Sequence, residues 1–369
     1  MPRAAVLNAL NEPLEIVDLD LADPGPHEVR VRMGASGVCH SDLSIQNGTM
    51  YSPTPCVLGH EGAGVIEAIG EGVTNVAPGD HVVVSWVPQC GSCFYCTRGQ
   101  GYLCETSGLA MATGALLDGT TRWSRDGSAV HQMAGAGTFA EAAILTDMAV
   151  VKIDSDIPLT AAALVGCGVL TGAGAALNTA SIKPGDTVAV MGCGGVGLNT
   201  IQGAKLAGAE RVIAIDMFDT KLEMARQFGA TDVVKPNDGD AVAQVQELTG
   251  GRGADVAFEV IGLAPTIDQT IAMTRRGGQA ILVGVPRMDI AISIPAFLGL
   301  VYQDKIIHGC WYGSSNVAHD VPKLIGLYTD GKLKLDELIS RRIGLGDVNE
   351  AFTAMGSGEV ARSVIEFDA

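Results

Sequence analysis

Residues 186–216 constrain the fold more than any other stretch. DTVAVMG is an apolar run of strand length that ends in glycine. GCGGVGLNTIQGAKLAGA is a glycine loop running into a helix, and ERVIAID is a second strand. Strand, helix and strand in that order make a βαβ unit. Gly192, Gly194 and Gly197 fit G-x-G-x-x-G. Lacking side chains, they let the turn close, let backbone N–H groups approach a pyrophosphate, and let the helix pack on the strand. The helix N-terminus then turns its partial positive charge toward the phosphates. The motif alone is weak. Its place between strand and helix, with Asp216 ending the next strand, makes it a dinucleotide site. Asp216 is expected to accept hydrogen bonds from the adenosine ribose and to repel the 2′-phosphate of NADP. Met217 and Phe218 follow it and no arginine does, so the expected coenzyme is NAD. The competing reading of Asp216 is a capping residue at a strand end.

The alternation continues with a helix at 219–228, a strand near 232–234, a helix at 241–249, a strand at 255–261, a helix at 265–275 and a strand at 279–285. These complete a doubly wound parallel sheet. The earlier part of the chain reads differently. Residues 3–8, 27–38, 64–69 and 80–86 alternate apolar and polar as half-buried strands do, and turns such as ADPGP and APGD separate them. A compact β-rich domain is expected there. Residues 105–138 read as long, glycine-rich and irregular. After HGCWYG the chain is expected to return to the first domain, with a helix at 346–356 and a last strand, SVIEF.

The chain has 369 residues, enough for about two domains of the usual 100–200 residues. Its formal net charge of −17 argues against a nucleic-acid or acidic-membrane partner, since both need basic patches. The start, MPRAAVLNALNEPLEI, lacks a sustained apolar core before a cleavage site. The longest apolar stretch, 161–177, is glycine-rich and short of the ~20 residues that span a bilayer. It reads as a buried helix in a soluble cytoplasmic protein. The nine cysteines cluster as metal thiolates would in a reducing compartment.

CGSCFYCTRGQGYLC places Cys90, Cys93, Cys96 and Cys104 in one short loop. Four thiolates close a tetrahedral zinc shell with no open position, so such a site is structural. Disulfides, free thiols or a nucleic-acid-binding zinc ribbon are the alternatives, and the acidic balance counts against the ribbon.

Three further candidates are Cys39 in GVCHSDL, His60 with Glu61 in LGHEGAGVIEAIGEGV, and Cys167 in LVGCGVLTGAGA. They lie far apart, and spacing alone does not join them. The GHE motif with its following glycines, the four-cysteine loop and the GxGGVG loop together resemble the zinc-dependent medium-chain alcohol dehydrogenases. The long-chain type, near the branch between classes I and III, is the nearest match, and the resemblance spans essentially the whole chain.

That resemblance implies a GroES-like catalytic domain over 1–170, with a structural-zinc lobe at 89–105, then a Rossmann NAD-binding domain over 171–312, and a return to the catalytic domain over 313–369. It implies two zinc ions per subunit. Cys39, His60 and Cys167 would hold the catalytic one, a set that suits zinc and leaves a position open for substrate oxygen. There zinc would act as a Lewis acid on an alcohol oxygen. Asp42 matches the carboxylate that orients the ligand histidine. Glu61 neighbours the metal without being its usual ligand. Ser41 matches the hydroxyl that meets the substrate oxygen. Many relatives pass the proton on to a histidine where this chain has Ser44, so protons are expected to leave by another route.

His40 and Arg362 match residues that face the pyrophosphate, Lys221 one that contacts the ribose, and Thr171 and Val196 ones beside the nicotinamide. Gly195, Val283 and Val285 complete the expected coenzyme contacts. Met50, Trp86, Val285 and Cys310, with Ser41, would line an apolar substrate tunnel. The implied activity is hydride transfer between a primary aliphatic or aromatic alcohol or aldehyde and NAD. A thiol-adduct-dependent formaldehyde dehydrogenase is the alternative. Members of that group usually carry an acid at the Met50 position and a basic residue where this chain has Thr106, Ser107 and Gly108. A non-catalytic NAD- and zinc-binding redox sensor is the remote alternative. The expected assembly is a homodimer, by comparison of the 105–138 segment, with a tetramer as the alternative.

Overall fold

The computed structural model of the protein describes residues 1–356 and 362–368. Two compact units are present. One comprises Met1–Gly168 with Asn316–Ala369, the other Val169–Ser315.

The first unit is β-rich. Its larger sheet runs, in spatial order, Val150–Ile153, His81–Val84, Glu61–Ile69, Glu28–Val38, Arg362–Glu366 and Ile339–Ile343, and Ala142–Thr146 also pairs with Glu28–Val38. The late strand Arg362–Glu366 pairs antiparallel with Glu28–Val38, Ser363 opposite Val38. That pairing is why the end of the chain belongs to the first unit. The inward residues form a core of Val31, Met33, Ile66, Val82 and Val84. A second apolar cluster gathers Leu7, Val38, Ile45, Leu58 and Phe139.

The second unit is a six-stranded parallel sheet in the order Asp232–Val234, Arg211–Ile215, Thr187–Met191, Ala254–Glu259, Thr274–Leu282, Ile306–Gly309. Counted along the chain this is 3-2-1-4-5-6, the doubly wound order that takes dinucleotides where the direction of winding reverses. Val188, Val190, Ile213, Ile215 and Phe258 are fully buried, as strands covered on both faces require.

Several elements differ from the sequence expectation. Residues 105–138 are not irregular: Glu105–Thr113 is a helix, and Trp123–Arg125 pairs antiparallel with Ser128–Gln132. The hairpin turn is Asp126–Gly127, both with positive φ (51° and 78°). Asp-Gly is a strong two-residue hairpin signal. The strand expected to begin at 279 begins at Thr274. A sixth strand, Ile306–Gly309, and a helix, Val317–Thr329, were not anticipated. That helix buries Val317, Val321, Leu324 and Ile325, a helical spacing.

The apolar stretch at 161–177 lies within a continuous helical run, Leu159–Thr179. The run is long and apolar enough to cross a membrane, but 83% of its most apolar window is buried in the protein. It has the burial of a core helix. Its turns widen at Val165–Val169 and again at Ala175–Thr179, where the hydrogen bonding is of the π type. Such widened turns often mark functional sites.

Candidate active site

Cys39 follows the Glu28–Val38 strand and stands at the N-terminal cap of the helix His40–Gln46. Its N–H donates to Asp42 Oδ2 at 2.9 Å. His60 enters from the other side, just before the Glu61–Ile69 strand. The preceding Gly59 has φ 91°, and a Cβ there would come within 2.5 Å of Phe139 N. Only glycine suits that turn. Cys167 comes from the widened turn Val165–Val169.

These separate segments converge. The ligand atoms of Cys39, His60, Glu61 and Cys167 all lie within 4.8 Å of one another, and all four residues are buried. Asp42, also buried, lies 3.0 Å from His60 Nδ1 and accepts from Gly59 N at 3.2 Å. With Nδ1–H committed to Asp42, the Nε2 lone pair faces the thiols. Nε2 is buried and has no hydrogen-bond partner among the described residues. An orphaned imidazole nitrogen beside two thiols is a ligand set in search of a cation.

Charge points the same way. Hydrogen bonding from Cys167 pushes the Cys39 thiol well below its usual value, with help from Arg362 and His60. The same hydrogen bond and burial hold Cys167 well above it. Burial pulls His60 down, but Asp42 and Cys39 outweigh it and hold the imidazole high. Burial pushes Glu61 up to about 7, against the pull of Arg362. Two buried thiols, one of them already pushed toward the thiolate, beside a buried imidazole nitrogen make a donor set that a divalent cation would fit.

Cys90, Cys93, Cys96 and Cys104 form a second cluster, their sulfurs within 4.8 Å of one another. Backbone N–H groups donate to three of them: Cys93 to Cys90 Sγ at 3.3 Å, Cys96 to Cys93 Sγ at 3.5 Å, Cys90 to Cys104 Sγ at 3.4 Å. The Ser92 amide leads the groups that bring Cys90 down to about 5, while burial pushes Cys96 up to about 12. All nine cysteines are free thiols. The loop thus presents four sulfurs and no open fifth group, the fit of a closed zinc shell.

In the second unit, Gly192 turns with φ 104°, and a Cβ there would meet Ile261 Cγ1 at 2.6 Å. A Cβ on Gly197 would stand 1.9 Å from Gly192 O. Gly194 caps the helix Gly195–Leu206, and a Cβ there would meet nothing within 4 Å. The loop is therefore closed underneath and open above, as a pyrophosphate cradle must be. Asp216 Oδ2 accepts from Cys193 N at 2.8 Å and Oδ1 from Phe218 N at 3.1 Å. Each oxygen keeps a lone pair for a ribose hydroxyl. Lys221 lies 5.1 Å from the Phe218 ring centroid.

The comparisons with known proteins agree. The alcohol dehydrogenase GroES-like domain matches residues 25–155, and the zinc-binding dehydrogenase family matches residues 195–330. A Mycobacterium tuberculosis protein provisionally named alcohol dehydrogenase D is 40% identical over 370 residues, covering 98% of each chain. This chain belongs to the zinc-dependent medium-chain alcohol dehydrogenases. Solved members of the alcohol dehydrogenase family overlay it along its whole length. Benzyl alcohol dehydrogenase from Acinetobacter calcoaceticus matches with a TM-score of 0.93 at 32% identity, covering 100% of this chain and 99% of its own. An alcohol dehydrogenase zinc-binding domain protein from Burkholderia ambifaria matches with a TM-score of 0.94 at 32% identity and the same coverage.

Within this chain the expected site residues fall as follows. Ser41 Oγ lies 3.9 Å from Cys39 Sγ. Trp86 meets His60 edge-on at 6.1 Å between ring centroids. Met50 packs on the cluster of Val38, Ile45 and Leu58. Thr171, Val196, Val283, Val285 and Cys310 are in the second unit. Cys310 is buried against Thr179, 3.2 Å away, whereas Val285 is exposed. Arg362, expected on the pyrophosphate, is in the first unit. Its Nη2 pairs with Glu61 Oε1 at 3.1 Å, and its Nη1 donates to Val38 O at 3.3 Å. Sequence reasoning missed that pair, and it missed Glu259, a fully buried acid in the second unit. An acid closing the apolar run ADVAFE was the available signal.

Proposed function

We propose that the protein is a zinc-dependent oxidoreductase that moves a hydride between a primary alcohol or aldehyde and NAD. The observation that carries this reading is His60 Nε2, buried without a hydrogen-bond partner and directed by Asp42 toward Cys39 and Cys167. A zinc ion held there supplies Lewis acidity toward an alcohol or carbonyl oxygen, and a bound nicotinamide supplies the hydride acceptor. Asp42 fixes the imidazole tautomer. Ser41 is placed beside Cys39 to take and pass the substrate proton. Trp86, edge-on to His60, gives the site an apolar wall. Glu61 and Arg362 hold paired charge beside the cluster. The four-cysteine lobe takes a second, structural zinc.

Asp216 and the absence of a following arginine support NAD over NADP. Trp86 supports aromatic or aliphatic primary alcohols, and the likeness to a benzyl alcohol dehydrogenase points the same way. Nine free thiols suit the cytoplasm. The Ile306–Gly309 edge strand, flanked by exposed Phe297, Val301 and Tyr302, supports a homodimer. The test is a panel of benzyl, aliphatic and hydroxymethyl-thiol substrates with NAD and NADP on metal-analysed protein. Zinc-dependent NADH formation from simple primary alcohols is expected. Turnover confined to thiol adducts, or coenzyme binding without turnover, would contradict the proposal.

A further inference from the structure

Glu259 ends the Ala254–Glu259 strand and is fully buried. Its Oε1 accepts three hydrogen bonds, from Ile261 N at 3.0 Å, Gly262 N at 2.8 Å and the Thr266 hydroxyl at 2.7 Å. Its Oε2 is buried and has no hydrogen-bond partner among the described residues. It faces the Gly284 backbone so closely that a Cβ there would come within 2.5 Å of it. Three donors on one oxygen are the setting of a carboxylate.

The position of this charge matters. The winding reverses between Thr187–Met191 and Ala254–Glu259, and dinucleotides lie across that reversal. Glu259 is the register partner of Met191, the residue just before the glycine loop. The side chains of Val260 and Ile261 stand against Gly192. Asp216, at the end of Arg211–Ile215, marks the adenosine half on one side of the reversal. Glu259 is on the other side of the reversal, the side on which the nicotinamide half of a dinucleotide would lie. Oxidised and reduced nicotinamide differ by one positive charge on the ring. A buried carboxylate without a cationic partner distinguishes them in a way that neutral packing does not.

We propose that Glu259 sets the relative affinity for the two forms of the coenzyme, its carboxylate favouring NAD⁺ over NADH. This rests on the coenzyme reading above. It goes beyond holding the 260–262 turn in place, because a turn holder affects both forms alike. Its consequence is a bound couple biased toward the oxidised form, and so toward aldehyde reduction.

The experiment measures dissociation constants for NAD⁺ and NADH on zinc-loaded protein at fixed pH and ionic strength. Glu259→Gln keeps an oxygen for the two amides and the hydroxyl but removes the charge. The preference for NAD⁺ relative to NADH is expected to fall roughly tenfold, the order of effect of removing one unit charge from a site of effective dielectric near 20. An unchanged ratio, even with both affinities weakened, would overturn the proposal and leave Glu259 a packing residue. Glu259→Asp, which keeps the charge, covers the case in which the glutamine variant does not fold. Its ratio is expected within about twofold of the parent, and a tenfold fall there would overturn the proposal. If the parent protein binds neither dinucleotide, the coenzyme reading itself fails, which is a distinguishable result.

Discussion

Glu61 and Arg362 form a buried ion pair, Oε1 to Nη2 at 3.1 Å, in a slot walled by glycine. A Cβ on Gly168 would stand 2.0 Å from Arg362 Nη2, and one on Gly37 would stand 2.3 Å from Glu61 Oε2. Gly168 N also donates to Glu61 Oε1 at 3.0 Å, tying the pair to the residue after Cys167. The pair thus joins three segments that also carry metal-ligand candidates. Removing one partner of such a pair strands the other charge away from water. Arg362→Ala is expected to cost about 3–5 kcal/mol, read as a fall in the denaturant midpoint. A loss below about 1 kcal/mol, the range of an exposed pair, would show that the charges are not buried together.

Asp42 reaches the cluster through His60 and the Gly59 and Cys39 amides. Asp42→Asn retains the shape but no longer favours the His60 tautomer that presents Nε2. Affinity for the catalytic-site metal is expected to fall about 10–100-fold, measured by competition with a chelator. The four-cysteine metal should be unaffected. Equal loss from both sites would mean that Asp42 supports the fold and not the ligand.

Asp216→Ser removes the carboxylate that meets the Cys193 amide and faces the ribose. The ratio of kcat/KM for NADP to that for NAD is expected to rise at least tenfold, because repulsion of the 2′-phosphate disappears. A parent enzyme already equal with both coenzymes would contradict the role assigned to Asp216.

Burial pushes the Cys56 thiol up to about 12 from an ordinary value near 9. The folded state therefore keeps a proton that the unfolded chain gives up. Its contribution to stability is full below about pH 9 and is lost as pH rises toward 12. In that window the slope is about 1.4 kcal/mol per pH unit for one proton. Cys56→Ala is expected to flatten the alkaline stability profile by that one-proton slope. An unchanged profile would show that Cys56 ionises freely in the fold.

Much of this was legible in the chain itself. The glycine loop and the alternation after it are local signals, and the parallel sheet follows them closely. The four cysteines are within one loop, so their spacing alone brings them together. Cys39, His60 and Cys167 are different. Their convergence depends on a strand end, a positive-φ glycine and a widened helical turn, none of which is visible in spacing, and only resemblance joined them. The ion pair of Glu61 with Arg362 was hidden for the same reason, since it forms only when Arg362–Glu366 pairs with Glu28–Val38. The helix Glu105–Thr113 was obscured by its glycine and by apolar residues that mark no single face. The Asp126–Gly127 hairpin left a clear trace that the glycine content of the segment masked.

Metal content tests the account most directly. The purified protein is expected to hold two zinc ions per chain, and His60→Ala to hold one while keeping its secondary structure and losing NADH formation. A parent with zinc only in the four-cysteine lobe, or a His60→Ala variant that retains both ions and its turnover, would contradict it.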